Sequence, residues 1–113
     1  MDCIFCRIVA GEIPSDTLYQ DEEVIAFRDV NPIASTHVLV IPRRHIPSLA
    51  DLSDEDLPLA GRMVGVANQI AKKEGIAESG YRLVINCGEH AGQIVPHLHL
   101  HVIGGRKLSD TLG

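Results

Sequence analysis

Three of the chain's six histidines, His97, His99 and His101, stand at alternate positions. They interleave with Leu98, Leu100 and Val102 in the run from Pro96 to Gly105. A period of two is that of a β-strand, whose successive side chains point to opposite faces. The aliphatic residues are therefore expected on a core and the imidazoles on the other face. At a rise of ~3.3 Å per residue, neighbouring histidines stand ~6.6 Å apart. Imidazole is nucleophilic towards phosphorus and titrates near ~6.5, so it is available at neutral pH. A central histidine could take a nucleotidyl group while its neighbours bond the phosphoryl oxygens and the leaving group. Three histidines on one metal ion, with a water, is the competing chemistry. Spacing alone leaves the two even.

Other residues offer chemistry with less support from their surroundings. Cys3 and Cys6 form a Cys-x-x-Cys, and Cys87 makes the set odd. Reduced thiols or metal ligands fit that count better than a disulfide framework, with a redox pair and plain buried thiols still open. Asp29 stands just before Asn31-Pro32 and reads locally as an Asx-turn residue. His37 opens an aliphatic run and reads as a semi-buried histidine. His45, after Arg43-Arg44, reads as a surface residue.

The elements that must carry these groups follow from periodicity. Residues 2–9 space Ile4, Phe5, Ile8 and Val9 as a short helix with the Cys-x-x-Cys at its start. Thr17–Gln20 and Val24–Val30 read as a hairpin turning at 21–23. His37–Ile41 is aliphatic enough for a central strand buried on both faces. Ser53-Asp-Glu-Asp56 signals a helix start. Pro58 places the regular helix from about there, after a looser turn. Leu59, Met63, Val66 and Ile70 make its apolar stripe, and Gly75 ends it. Tyr81–Cys87 and the histidine run are the last two strands, joined by a loop over 88–95. This order predicts a single α+β domain over residues 1–113, with a mainly antiparallel sheet of about five strands.

Composition narrows the partners. Fifteen acidic against ten basic residues, a net charge of −5, argues against a nucleic-acid backbone or an anionic membrane. No apolar run approaches the ~20 residues of a membrane span. Met1-Asp2-Cys3 lacks the basic start and apolar stretch of a signal peptide, so a cytoplasmic location is expected.

His97-Leu-His-Leu-His-Val-Ile103 resembles the motif of the histidine triad (HIT) family. The likeness continues through Cys3–Ile8, Gly11–Ser15, Ala26–Asp29, Thr36–Pro42, Tyr81–Asn86 and Gly92-Gln93, nearly the whole chain. The Gly104-Gly105-Arg106 ending is similar to the Hint-like branch, the purine nucleoside phosphoramidases. The resemblance implies a homodimeric hydrolase of purine nucleoside monophosphate derivatives. Its implied nucleophile is His99, with His101 on the phosphate and leaving group and His97 and His37 in support. It implies Asp29 on the ribose hydroxyls, overturning the local reading of that residue. Phe27 and Val30 would line the nucleoside pocket, and Asn86, Gly92 and Gln93 the phosphate loop. No cofactor is implied for the chemistry. In some members Cys3, Cys6, His45 and His97 would hold a structural zinc; others lack the cysteines. Dinucleoside polyphosphate hydrolysis and nucleotide binding with weak turnover are the alternatives. Ile94 stands where many of that branch carry serine, and the tail over 107–113 lacks the aromatic ending of some.

Overall fold

Five strands and two helices are built from these segments, in a computed structural model that describes residues 3–112. Met1, Asp2 and Gly113, the ends of the expected domain, lie outside the described residues. Helix α1 runs Ile4–Val9, with Cys3 as its N-cap. The strands are β1 (Thr17–Gln20), β2 (Val24–Arg28), β3 (Thr36–Pro42), β4 (Tyr81–Val84) and β5 (Leu100–Gly104). Helix α2 runs Leu57–Lys73 between β3 and β4, with Pro58 in its first turn. A 3₁₀ turn over Asp54–Asp56 precedes it, closed by reciprocal bonds between Ser53 and Asp56. That is the looser turn the position of Pro58 predicts, because a proline deeper in the helix would cost a backbone bond.

The sheet is antiparallel throughout, in the order β1-β2-β3-β5-β4. The fully buried β3 lies at its centre, as its unbroken aliphatic run predicts. Alternation then gives each face its own core. Val24, Ala26, Val38, Val40, Leu100 and Val102 pack on Met63, Val66 and Ile70 of α2. Ile25, Phe27, Leu39 and Ile41 pack instead against Cys3 and Phe5 at the start of α1. The functional groups belong to this second face. Arg28 closes the α2 end of the fold with two bonds to the Glu74 carboxylate, at 2.7 and 3.0 Å. No helix among the described residues is long and apolar enough to cross a membrane.

Three strands are shorter than the sequence predicts, β2 among them: it ends at Arg28, two residues before Val30, where the Asp29–Asn31 turn takes over. β4 stops at Val84, three residues before Cys87. β5 begins only at Leu100, so His97 and His99 precede it. Leu98 still points into the α2 core, but its N–H donates to the Ile46 carbonyl at 2.7 Å. Alternation of side chains thus outlasts the ladder of the sheet, and the three histidines do not form one flat row.

Candidate active site

The divergence begins at His97. Its ring is wholly buried and turned towards α1, where Nδ1 lies 3.4 Å from the Cys3 sulfur and 3.6 Å from that of Cys6. His45 Nδ1 is 3.2 Å from Cys6 Sγ, so His45 is drawn into the same cluster from the surface position its sequence suggests. All four donor atoms lie within 4.8 Å of one another. A tetrahedral ion with ~2.3 Å bonds to sulfur and ~2.0–2.1 Å bonds to nitrogen spaces its sulfur and nitrogen ligands by ~3.6 Å. The donor set and its spacing therefore fit zinc. His97 Nε2 lies 2.8 Å from the Pro42 carbonyl, to which it can only donate. That bond leaves Nδ1 bare for a ligand role, the outer-shell arrangement usual for metal-bound histidine. Burial pushes the His97 imidazole below its ordinary titration range, which also favours the bare form.

His99 is fixed through the backbone of the same residue. Its Nδ1 donates to the His97 carbonyl at 2.7 Å. A carbonyl only accepts, so Nδ1 carries the proton and the neutral ring keeps its lone pair on Nε2. Phe5, between the two cysteines, packs edge-on against His99 with ring centroids 5.2 Å apart. The His101 ring stands on another side, at 5.1 Å.

A second chain of donors fixes His101. The Ile33 backbone N–H donates to His37 Nδ1 at 3.2 Å, so the proton of that ring sits on Nε2. His37 Nε2 therefore donates to His101 Nδ1, 2.9 Å away. His101 is left with its own proton on Nε2, where it can donate to a ligand. Burial, followed by the charges of His99 and His37, holds the His101 imidazolium down to about 4, against a weaker upward pull from Asp29. The ring is thus a neutral donor at neutral pH. Of the three histidines, two join separate clusters, Cys3–Cys6–His45–His97 and Asp29–His37–His101, and His99 joins neither among the described residues. A single ion on all three does not match this arrangement.

Asp29 keeps the Asx turn of its local reading, one oxygen accepting the Asn31 N–H at 2.8 Å, and has its second oxygen turned towards His37, 3.4 Å from Nε2. Phe27 is buried beside Phe5, and Val30 is 88% exposed just beyond Asp29. Asn86 is half-buried after β4. In the loop that follows, Gly92 adopts φ +83°, which allows the chain to turn back. Gln93 holds that turn: its side chain accepts from Gly88 N–H at 2.8 Å and donates to the Pro47 and Val95 carbonyls at 2.8 and 3.0 Å. Its N–H also goes to the Gly88 carbonyl. With both ends of its amide engaged, Gln93 shapes the loop and has no spare group to present. Ile94, next to it, is 90% exposed.

Phe5 and the Ile33 N–H are the site groups that sequence reading passes over. Phe5 does carry a signal, a large apolar residue enclosed by two candidate ligands on one helical turn. The Ile33 amide carries none, since any residue supplies one.

Comparison with known proteins places this geometry among relatives. A family model described as "Scavenger mRNA decapping enzyme C-term binding" matches residues 2–112. The chain is 51% identical over 111 residues to the purine nucleoside phosphoramidase of Escherichia coli (strain K12), covering 98% of this chain and 93% of that one. The crystal structure of a HIT family hydrolase from Legionella pneumophila superposes with a TM-score of 0.96 at 43% identity, over 99% of this chain and 100% of the other. A histidine triad protein from Clostridium difficile gives the same TM-score at 46% identity, over 99% and 97%.

Proposed function

The chain belongs to the histidine triad family of hydrolases, and from that premise we propose that it cleaves purine nucleoside phosphoramidates through a nucleotide held covalently on His99. The observation that carries this reading is the pair of fixed tautomers. His99 offers a lone pair on Nε2, and its neighbour His101 offers a proton on Nε2. A bare nucleophile beside a neutral donor suits a phosphoryl centre, whose oxygens need a hydrogen bond while phosphorus is attacked.

In the first step His99 Nε2 forms a bond to phosphorus. The P–N bond of the substrate breaks and, with the substrate reacting as its N-protonated form, the free amine departs. His101 Nε2–H bonds the phosphoryl oxygens and the departing nitrogen. In the second step a water oxygen bonds to phosphorus, the Nε2–P bond breaks, and one proton of the water passes to solvent. Nucleoside monophosphate leaves, and His99 is restored. Asp29 takes the ribose hydroxyls with the oxygen facing His37, Phe27 and Val30 line the nucleoside side, and Asn86, Gly92 and Gln93 form the loop at the phosphate. His37 keeps the proton of His101 on the outer nitrogen.

Cys3, Cys6, His45 and His97 hold a structural zinc in this reading. Four protein ligands close a tetrahedral site, so the ion cross-links and offers no position for a reacting water. The reduced thiols it needs suit the cytoplasm. The working unit is a homodimer.

Quenching the enzyme during turnover of an adenosine phosphoramidate tests the proposal. The expected result is one added nucleotide mass on the peptide holding His99, and a His99→Gly variant that binds nucleoside monophosphate but turns over about 10⁴-fold more slowly or worse. Substantial activity in that variant would mean direct attack by water. Parallel assays with a dinucleoside polyphosphate decide between the two hydrolase branches, and binding without turnover of either substrate would leave a regulatory nucleotide-binding protein.

A further inference from the structure

We propose that Phe5 is a positioning residue for His99, and that the Cys3–Cys6–His45–His97 cluster determines where Phe5 stands. The inference rests on the reading of His99 as nucleophile and goes beyond it, because it makes catalytic competence depend on a cluster that holds no reacting atom.

Helix α1 has six residues and no acidic side chain in its first turn. A helix that short does not persist in water on its own propensity, so its attachments hold it in place. Ile8 and Val9 pack at its far end, and its first turn is held by two further attachments. Cys3 and Cys6 meet His97 and His45, and Phe5 inserts between them onto the sheet. Phe5 meets three rings there: His99 at 5.2 Å and 85°, Phe27 at 5.6 Å and 69°, and His97 at 5.8 Å and 73°. All three are edge-to-face arrangements within the range where aromatic rings attract by geometry as well as by area.

One hydrogen bond does not orient an imidazole. The bond from Nδ1 to the His97 carbonyl sets the tautomer of His99 but leaves its ring free to tilt about that axis. Phe5 is the wall against that tilt. The cluster therefore reaches the nucleophile by two short routes, through the backbone of His97, which bonds His99, and through Phe5, which is flanked by Cys3 and Cys6. The core beneath α2 lies on the opposite face of the sheet and includes neither Phe5 nor the cysteines. Opening the cluster should thus release Phe5 and loosen His99 while α2 and the sheet remain.

The test compares wild type with Phe5→Leu, both as purified with metal. In Phe5→Leu the single-turnover rate of nucleotide transfer from an adenosine phosphoramidate should fall about tenfold, with KM changed less than about threefold. Phe27→Leu, on the nucleoside side, should show the opposite split. The His99 Nδ1–H proton, protected by its bond to the His97 carbonyl, should give a slowly exchanging downfield resonance that broadens in Phe5→Leu. Removing metal with a chelator should broaden the same resonance and slow wild type, and slow Phe5→Leu by a smaller factor, because only the route through the His97 backbone remains to be lost. A Phe5→Leu rate within twofold of wild type, a change confined to KM, or fully additive losses would overturn the proposal. If chelation unfolds the chain, the rate and resonance of metal-loaded Phe5→Leu decide alone. A wild type that turns over no phosphoramidate, yet shows the resonance and its loss, would overturn the phosphoramidase reading and leave the positioning role standing.

Discussion

His101 shows how a residue's surroundings decide its form. Its imidazolium is held down to about 4, first by burial and then by His99 and His37. The unfolded chain protonates the same group near ~6.5. Between those values the unfolded state binds a proton that the native site refuses, so acidification lowers stability through this window and takes nothing more from His101 below about 4. His97, pushed the same way by burial, adds the same sign. The denaturant midpoint should therefore drop between about pH 6.5 and about pH 4, and His101→Gln should flatten part of that slope, up to ~3 kcal/mol. An equal slope in the variant would show that His101 is not the group refusing the proton. At this scale the sequence discloses side-chain types and parity, and little about partners. The alternation correctly sends Leu98 and Leu100 into the core. The turn of His97 towards α1 depends on cysteines 94 and 91 positions away in the chain. Asp29 is the converse case: the local reading finds one of its oxygens, and only the fold brings His37 to the other.

Element boundaries were legible wherever local chemistry sets them. Pro58 and the Ser53–Asp56 pair fix the start of α2, and β3 follows from an unbroken aliphatic run. The ends of β4 and β5 were not legible, because the bonds that draw the intervening chain off the sheet are long-range. Gln93 ties the loop to Pro47, and Leu98 bonds Ile46 in place of a strand neighbour. Helix α1 is the element that depends most on its attachments, and this makes the zinc proposal testable apart from catalysis. Protein prepared without added zinc should carry about one zinc per chain. Cys3→Ser should lose most of it and lower the melting temperature, since the variant gives up a ligand and a buried apolar contact while its hydroxyl still caps α1. Metal-free protein, with Cys3→Ser as stable as wild type, would eliminate the site. In that event Cys3 and Cys6 would be buried thiols packed beside Phe5.

At the scale of the molecule the sheet has two edges, and they are not equivalent. β1 is interrupted by a register shift between Thr17 and Tyr19, and a cluster of Tyr19, Asp21 and Arg62 ties it to α2. A bulged, capped edge is a poor template for another strand. β4 keeps a regular register with β5 from Tyr81 to Val84, and its four residues are all half-buried at a sheet edge with no strand beyond it among the described residues. Two such edges related by a two-fold axis would pair antiparallel and extend the sheet across both chains, with the same residues used on each side. The homodimer proposed above would therefore form through β4. Sedimentation should give twice the 12.3 kDa chain mass at micromolar concentration. Hydrogen exchange then locates the contact: the amides of β4 that point away from β5 should be protected in the dimer and exchange rapidly once dilution separates the chains, whereas those of β1 should not respond. A monomer at all concentrations would overturn the homodimer, and protection appearing on β1 would move its contact to the other edge. Because β4 leads into Asn86 and the loop held by Gln93, a β4 contact would also steady the phosphate side of each site, so dilution should lower turnover per chain in step with loss of that protection.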